Sequence, residues 1–211
     1  MKTVRVVFSK TGRARFISHL DLVRTMTRVM RRAGIPLWYT EGFNRHPYLT
    51  FAAPLSLGFE GMRETMDLRL EEDVPYDELV VRLNAALPEG FTVVSAAEAV
   101  HKAGELAASR YRLTFDSSLQ PILSLLAQNE VLVEKRTKKK TMKTVDIRPA
   151  FADAEVMTEG EGTVMNVTLP TGNETVNPSL FLQALNDFTG EEHHMHVLRL
   201  ELLTSDEKPF R

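Results

Sequence analysis

Apolar and polar residues alternate over residues 3–8, where Val4, Val6 and Phe8 fall on one side of an extended chain, and this predicts a half-buried strand. The period then changes. Leu22, Val23, Met26, Val29, Met30 and Ala33 return every three or four positions, which predicts a helix with one packed face. Ser18 stands as its N-cap with Asp21 three residues on, a variant of the capping box, and Gly34 followed by Pro36 ends it. Beyond an irregular stretch rich in Pro and Gly, residues 65–70 read as a strand. Residues 75–87 read as a helix opened by Pro75, and residues 91–96 as a strand after the Pro88-Glu89-Gly90 turn. The order is roughly βαββαβ.

The second half begins the same way. A strand at 111–115 leads to a helix at about 117–128, with Pro121 tolerated in its first turn, and to a strand at 131–136. Residues 141–147 and 163–169 read as further strands. Asn177-Pro178 opens a helix that Gly190 closes, and residues 195–203 alternate as a last strand. The two halves share element order without a residue-level repeat. The expectation is an α+β protein of two tandem ferredoxin-like (βαββαβ) modules with antiparallel sheets. A boundary near residue 105 gives a basic N-terminal module, 1–105, and a C-terminal module with a basic hairpin, 106–211, joined through the Ala- and Glu-rich stretch 97–110, a connector or equally a short helix.

Charge changes the picture. The whole chain carries a net charge of -2, yet its first fifty residues hold ten Lys and Arg against only Asp21 and Glu41. Residues 149–211 hold three basic residues against eleven acidic ones. A local basic surface of this kind suits a polyanion, with RNA the leading candidate. A hydrophobic fraction of 43% is enough for a real core. No apolar run reaches the length of a membrane-spanning helix, and the N-terminus is unlike a signal peptide, so the expectation is a cytoplasmic protein. The absence of cysteine excludes disulfides, thiolate metal sites, a cysteine nucleophile and a self-ligated iron–sulfur cluster.

Four places concentrate candidate chemistry. Arg24, Arg28, Arg31 and Arg32 recur at helical spacing opposite the apolar face. Planar guanidinium forks match phosphate oxygens, whereas a merely solubilising face would mix Lys with Glu. Lys10, Arg13 and Arg15 form a basic turn leading into that helix. Phe43, Asn44, Arg45, His46 and Tyr48 gather groups able to stack on a base and read its edge. Lys135, Arg136, Lys138, Lys139, Lys140 and Lys143 form a distant basic block, read as a hairpin tip reaching phosphate. The alternatives are an ordinary solvated helix face, a basic turn, a loop whose aromatic residues pack inward, and, for the distant block, a solvated turn.

His19 and His46 form the one pair suited to metal-independent RNA cleavage, one imidazole as base and the other as acid, with Lys10 or an Arg stabilising the phosphorane. His193, His194 and His196 lack a placed carboxylate, so surface histidines are the stronger reading, and neither metal nor cofactor is expected.

The run Thr11-Gly12-Arg13-Ala14-Arg15-Phe16-Ile17-Ser18-His19-Leu20-Asp21, with Arg31-Arg32-Ala33-Gly34-Ile35-Pro36, Gly42-Phe43-Asn44-Arg45-His46-Pro47 and Phe51-Ala52-Ala53-Pro54-Leu55-Ser56-Leu57-Gly58, resembles a bacterial family of uncharacterised radical-SAM-linked proteins. Glu134-Lys135-Arg136-Thr137-Lys138-Lys139-Lys140 and Val145-Asp146-Ile147-Arg148-Pro149 extend the resemblance over most of the chain. The resemblance implies a radical SAM protein as partner, because the domain occurs joined to one or encoded beside one. With no cysteine of its own, the chain would then hold RNA for that partner's chemistry. The resulting expectation is an RNA-binding accessory protein that is not an enzyme alone, with an endoribonuclease or a protein-interaction adaptor as alternatives.

Overall fold

The computed structural model describes residues 2–136, 141–160, 162–172 and 174–211. The chain is mixed α+β, and among the described residues four α-helices accompany a mostly antiparallel sheet. It divides into two compact units, Met1–Leu106 with Arg199–Arg211, and Ala107–Leu198.

The first unit begins with β1 (Thr3–Lys10) and a single 3₁₀ turn at Gly12–Phe16, followed by α1 (His19–Arg32). Then come the short β2 (Leu49–Phe51), β3 (Glu60–Arg69), α2 (Tyr76–Ala86) and β4 (Phe91–Glu98). β1 lies between β4 and β3, antiparallel to both, and β2 lies antiparallel to the far end of β3. The strand order is therefore β4–β1–β3–β2. Residues from 199 onward, in the later half of β10 (Met195–Thr204), also run beside β3.

Alternation along β1 divides the sheet into two faces. Val4, Val6 and Phe8 bury themselves against Leu22, Met26, Val29 and Met30 of α1 and Leu79 and Leu83 of α2, with Met66 and Leu68 of β3 in the same core. Arg5 and Val7 point to the opposite face. The helix predicted from Ser18 to Gly34 is present. Ser18 Oγ accepts from Asp21 N–H at 3.2 Å, and Gly34 follows the Ala33 C-cap at φ +62, the left-handed conformation expected of a helix-ending glycine.

The strand expected at 65–70 starts earlier, at Glu60, and β2 was not foreseen. The connector at 97–110 has little loop character. β4 runs to Glu98, a 3₁₀ turn covers Ala103–Glu105, and β5 (Leu106–Phe115) follows at once.

In the second unit β5 pairs along β9 (Gly162–Pro170), which pairs with β8 (Glu155–Glu159), a strand absent from the expectation. α3 (Leu119–Leu126) and α4 (Ser179–Thr189) contribute Ile122, Leu125, Phe181 and Leu185 to buried positions. Phe181 packs between Phe115 and Phe151, with ring centroids 5.8 and 4.8 Å away. β6 (Leu132–Arg136) and β7 (Met142–Asp146) form the expected hairpin as a separate two-stranded sheet, Lys135 opposite Lys143.

Candidate functional site

The helix α1 presents its guanidinium row as the spacing predicts, since Arg24, Arg28, Arg31 and Arg32 are all exposed while Leu22, Met26, Val29 and Met30 are buried. The four are not equally available. Arg24 ion-pairs with Asp21 at 3.1 Å within the helix, and the Ser18 hydroxyl and the Arg24 guanidinium together hold the Asp21 carboxyl below its usual range. Arg32 donates to the Ala86 carbonyl at 2.6 Å, capping the last turn of α2. Arg28 and Arg31 have no hydrogen bond or ion pair among the described residues and face solvent with their full donor sets.

The basic turn before the helix separates into three different environments. Arg13 is exposed. Arg15 is half-buried, 3.8 Å from Glu60, with its guanidinium over the exposed Phe16 ring at 4.8 Å. Lys10 is a correction to the sequence reading: it is 1% exposed, and its ammonium donates to the backbone carbonyls of Ile17 at 3.1 Å and Arg15 at 3.4 Å. Its place as the last residue of β1, with the chain folding back over it, removes it from any outer basic surface. Burial lowers its pKa, with Glu64 opposing and Arg199 adding to the effect.

The segment 38–48 folds back on itself. Thr40 N–H donates to the His46 carbonyl at 2.9 Å, Tyr48 N–H to the Trp38 carbonyl at 3.0 Å, and Tyr39 pairs with Pro47. Gly42, at φ +109, makes the reversal that a side chain would resist. Phe43 at the tip is fully exposed, and Asn44 and Arg45 are exposed beside it. Tyr48 is not free in the same way, because Arg69 lies 4.3 Å over its ring, in a stack that also involves Trp38.

His46 is exposed, but its Nδ1 lies 3.0 Å from the Asn44 carbonyl and 3.1 Å from Thr40 Oγ1. His19 sets its ring against the Phe51 ring at 5.4 Å. Each imidazole is thus held in its own local environment, and among the described residues no hydrogen bond joins them.

In the second unit Lys143 is exposed and Lys135 donates to the Thr175 carbonyl at 2.8 Å. Lys138, Lys139 and Lys140 lie outside the described residues, as does the side chain of Arg136. His193 meets Thr189 Oγ1 at 3.0 Å, and the backbone N–H of His194 donates to Asp116 at 2.8 Å. Among the described residues no group of three His, Asp or Glu side chains is placed to hold a metal ion. Among the described residues no helix is long and apolar enough to cross a membrane.

Sequence reasoning overlooked the exposed apolar residues around the start of α1, namely Phe16, Leu20 and Leu57, the last of these in the loop whose Gly58 N–H donates to the Arg15 carbonyl at 2.9 Å. An aromatic residue inside a basic turn was the available signal. Guanidinium groups beside accessible rings can hold phosphate and stack on bases, but they supply no paired acid and base.

No curated protein matches the chain. Residues 3–179 match the family described as an uncharacterized protein conserved in bacteria, DUF2344; the match runs through both units, and the chain belongs to this family.

Proposed function

We propose that this protein is an RNA-binding accessory subunit built from two ferredoxin-like modules, presenting its RNA to a radical SAM partner in the cytoplasm. The observation that carries the reading is the row of exposed arginines on the solvent face of α1, in which Arg28 and Arg31 keep every N–H donor free of protein partners among the described residues. A face without acids beyond Asp21 and without lysine is suited to phosphate oxygens, which guanidinium forks bind in a bidentate manner. Phe16 and Phe43 offer accessible rings for stacking, while Arg13, Arg15 and Arg45 add charge in the same unit. The order β4–β1–β3–β2, antiparallel throughout with two helices on one face, supports the ferredoxin-like reading of the first unit. The radical SAM partner rests on the sequence resemblance.

The test is RNA binding as a function of salt, comparing the wild type with Arg24→Ala/Arg28→Ala/Arg31→Ala. These positions lie off the core, so the variant should fold normally. Its binding should weaken and its log–log salt slope should flatten by about 2, the loss of three phosphate contacts on single-stranded RNA. Unchanged binding overturns the site. Capture of a protein partner that survives nuclease treatment, with no RNA bound, favours the adaptor alternative.

A further inference from the structure

Three large apolar side chains stand out of the surface where α1 begins: Phe16, Leu20 and Leu57, which are 63%, 59% and 63% exposed. Single exposed apolar residues are ordinary, but these gather at one place, because the Gly58 N–H donates to the Arg15 carbonyl at 2.9 Å and so ties the loop of Leu57 to the turn of Phe16. Leu20 also opens a stripe along the helix. Leu20, Arg24 and Arg28 follow one another at intervals of four positions, about 6 Å along the axis, and Arg31 falls within the same stripe.

Phe16 is held outward by what lies beneath it. The residues on either side, Arg15 and Ile17, both give their carbonyls to the buried Lys10 ammonium, at 3.4 and 3.1 Å. Ala14 is buried and Ile17 packs against the core, while Glu60 accepts from the Gly12 N–H at 2.7 Å and lies 3.8 Å from Arg15. The turn has no slack through which the ring could fold inward. A buried ammonium carries a desolvation cost, and here it fixes an aromatic ring on the surface, where the hydrophobic effect alone would not put it. The Arg15 guanidinium lies 4.8 Å over the ring, which is otherwise open to solvent.

The charges around this patch select the ligand. Asp21 is engaged by Ser18 and Arg24, and Glu60 by the Gly12 N–H and Arg15, so the exposed Arg13, Arg28 and Arg31 leave the surroundings positive. The fitting partner is a polyanion with apolar surface beside each charge. Nucleic acid carries one base to each phosphate, whereas an acidic peptide gains charge at the expense of apolar groups. In a paired helix the bases are stacked inside, and only phosphate and ribose would meet Phe16.

We propose, on the reading of the arginine row as an RNA surface, that the start of α1 is a platform for one unpaired nucleobase, which stacks on Phe16 between Leu20 and Leu57 while phosphates of the same strand run along Arg24, Arg28 and Arg31. The substrate class is then RNA with an unpaired base at this end, bound in preference to a blunt duplex.

The test is fluorescence anisotropy of the full chain with three labelled RNAs of mixed sequence: a single strand of about 12 nucleotides, the blunt duplex it forms with its complement, and that duplex with unpaired nucleotides added at its ends. The single strand and the extended duplex should bind at least about fivefold more tightly than the blunt duplex. Phe16→Ala should remove this preference and Phe16→Trp should retain it. Neither variant changes a charge, so the salt slope should stay at the wild-type value, with circular dichroism confirming the fold. Arg24→Ala/Arg28→Ala/Arg31→Ala should instead weaken all three RNAs and flatten the slope. A preference that survives Phe16→Ala, or equal binding of the three RNAs, overturns the platform, and a slope that still responds to the arginines keeps the RNA surface itself. No binding of any RNA overturns both. If the three RNAs bind equally and Phe16→Ala abolishes capture of a nuclease-resistant protein partner, the patch is a protein contact and the platform falls.

Discussion

Arg199 Nε donates to Glu64 Oε1 at 2.9 Å, with the two residues 3% and 5% exposed. Arg199 Nη2 also meets Glu64 Oε2 and donates to the Ala53 carbonyl at 2.6 Å. Gly61 leaves the room this carboxylate occupies, since a Cβ there would lie 2.3 Å from Glu64 Oε1. Breaking a buried pair strands a charge, whereas replacing both partners removes it. Glu64→Gln should therefore lower unfolding stability by about 3 kcal/mol, and Glu64→Leu/Arg199→Met should recover much of that loss. Urea unfolding of the single and double variants measures both, and a Glu64→Gln loss below about 1 kcal/mol contradicts the burial argument.

Lys10 provides a pH test. Burial lowers its folded pKa below 10.5, so the unfolded chain binds this proton more tightly than the folded one. The penalty is complete at neutral pH and is relieved as pH rises from the lowered value towards 10.5, where stability should climb. The wild-type stability minus that of Lys10→Met should consequently move in favour of the wild type across this alkaline window. A difference that stays flat with pH argues against a lowered value.

Gly90 accepts a bond from Thr11 N–H at 2.8 Å through its carbonyl and sits at φ +85. A Cβ there would come within 2.6 Å of the Thr11 carbonyl oxygen and 2.8 Å of Ala14 Cβ. Gly90→Ala should destabilise the protein by about 2 kcal/mol or more, since backbone strain and overlap add. Thermal unfolding is the measurement, and a melting temperature within a degree of the wild type would show that the turn relaxes freely.

The separate settings of His19 and His46 lead to an expectation about RNA itself. Incubated with the purified protein and no added metal, RNA should remain intact. Products ending in a 2′,3′-cyclic phosphate that disappear in His46→Ala, with binding retained, would transfer the assignment to the endoribonuclease alternative.

Much of α1 was legible in the sequence because its information is local: the N-cap at Ser18, the period of Leu22, Met26, Val29 and Met30, and the glycine after the last turn. The arginine row followed from the same period. What escaped was decided between distant strands. Arg5 reads as one more polar position in an alternating strand, and nothing within residues 3–8 reveals that Asp67, His101 and Phe210 converge on it. Lys10 misled for the same reason, as a lysine next to a glycine turn looks solvated until the carbonyls of Arg15 and Ile17 fold over it. The early start of β3 was hidden because Glu60, Arg63 and Glu64 look like loop residues, and their ion pairs lie with Arg15, Glu201 and Arg199.

The grouping of residues 199–211 with Met1–Leu106 has a consequence for biosynthesis. As the chain leaves the ribosome, Ala107–Leu198 is complete before the first unit receives its last strand, the Arg199 that neutralises Glu64 and the Phe210 that covers Arg5. The portion translated first is thus finished last, and a released chain truncated after Leu198 should carry a protease-resistant second unit beside a first unit that is still readily cleaved.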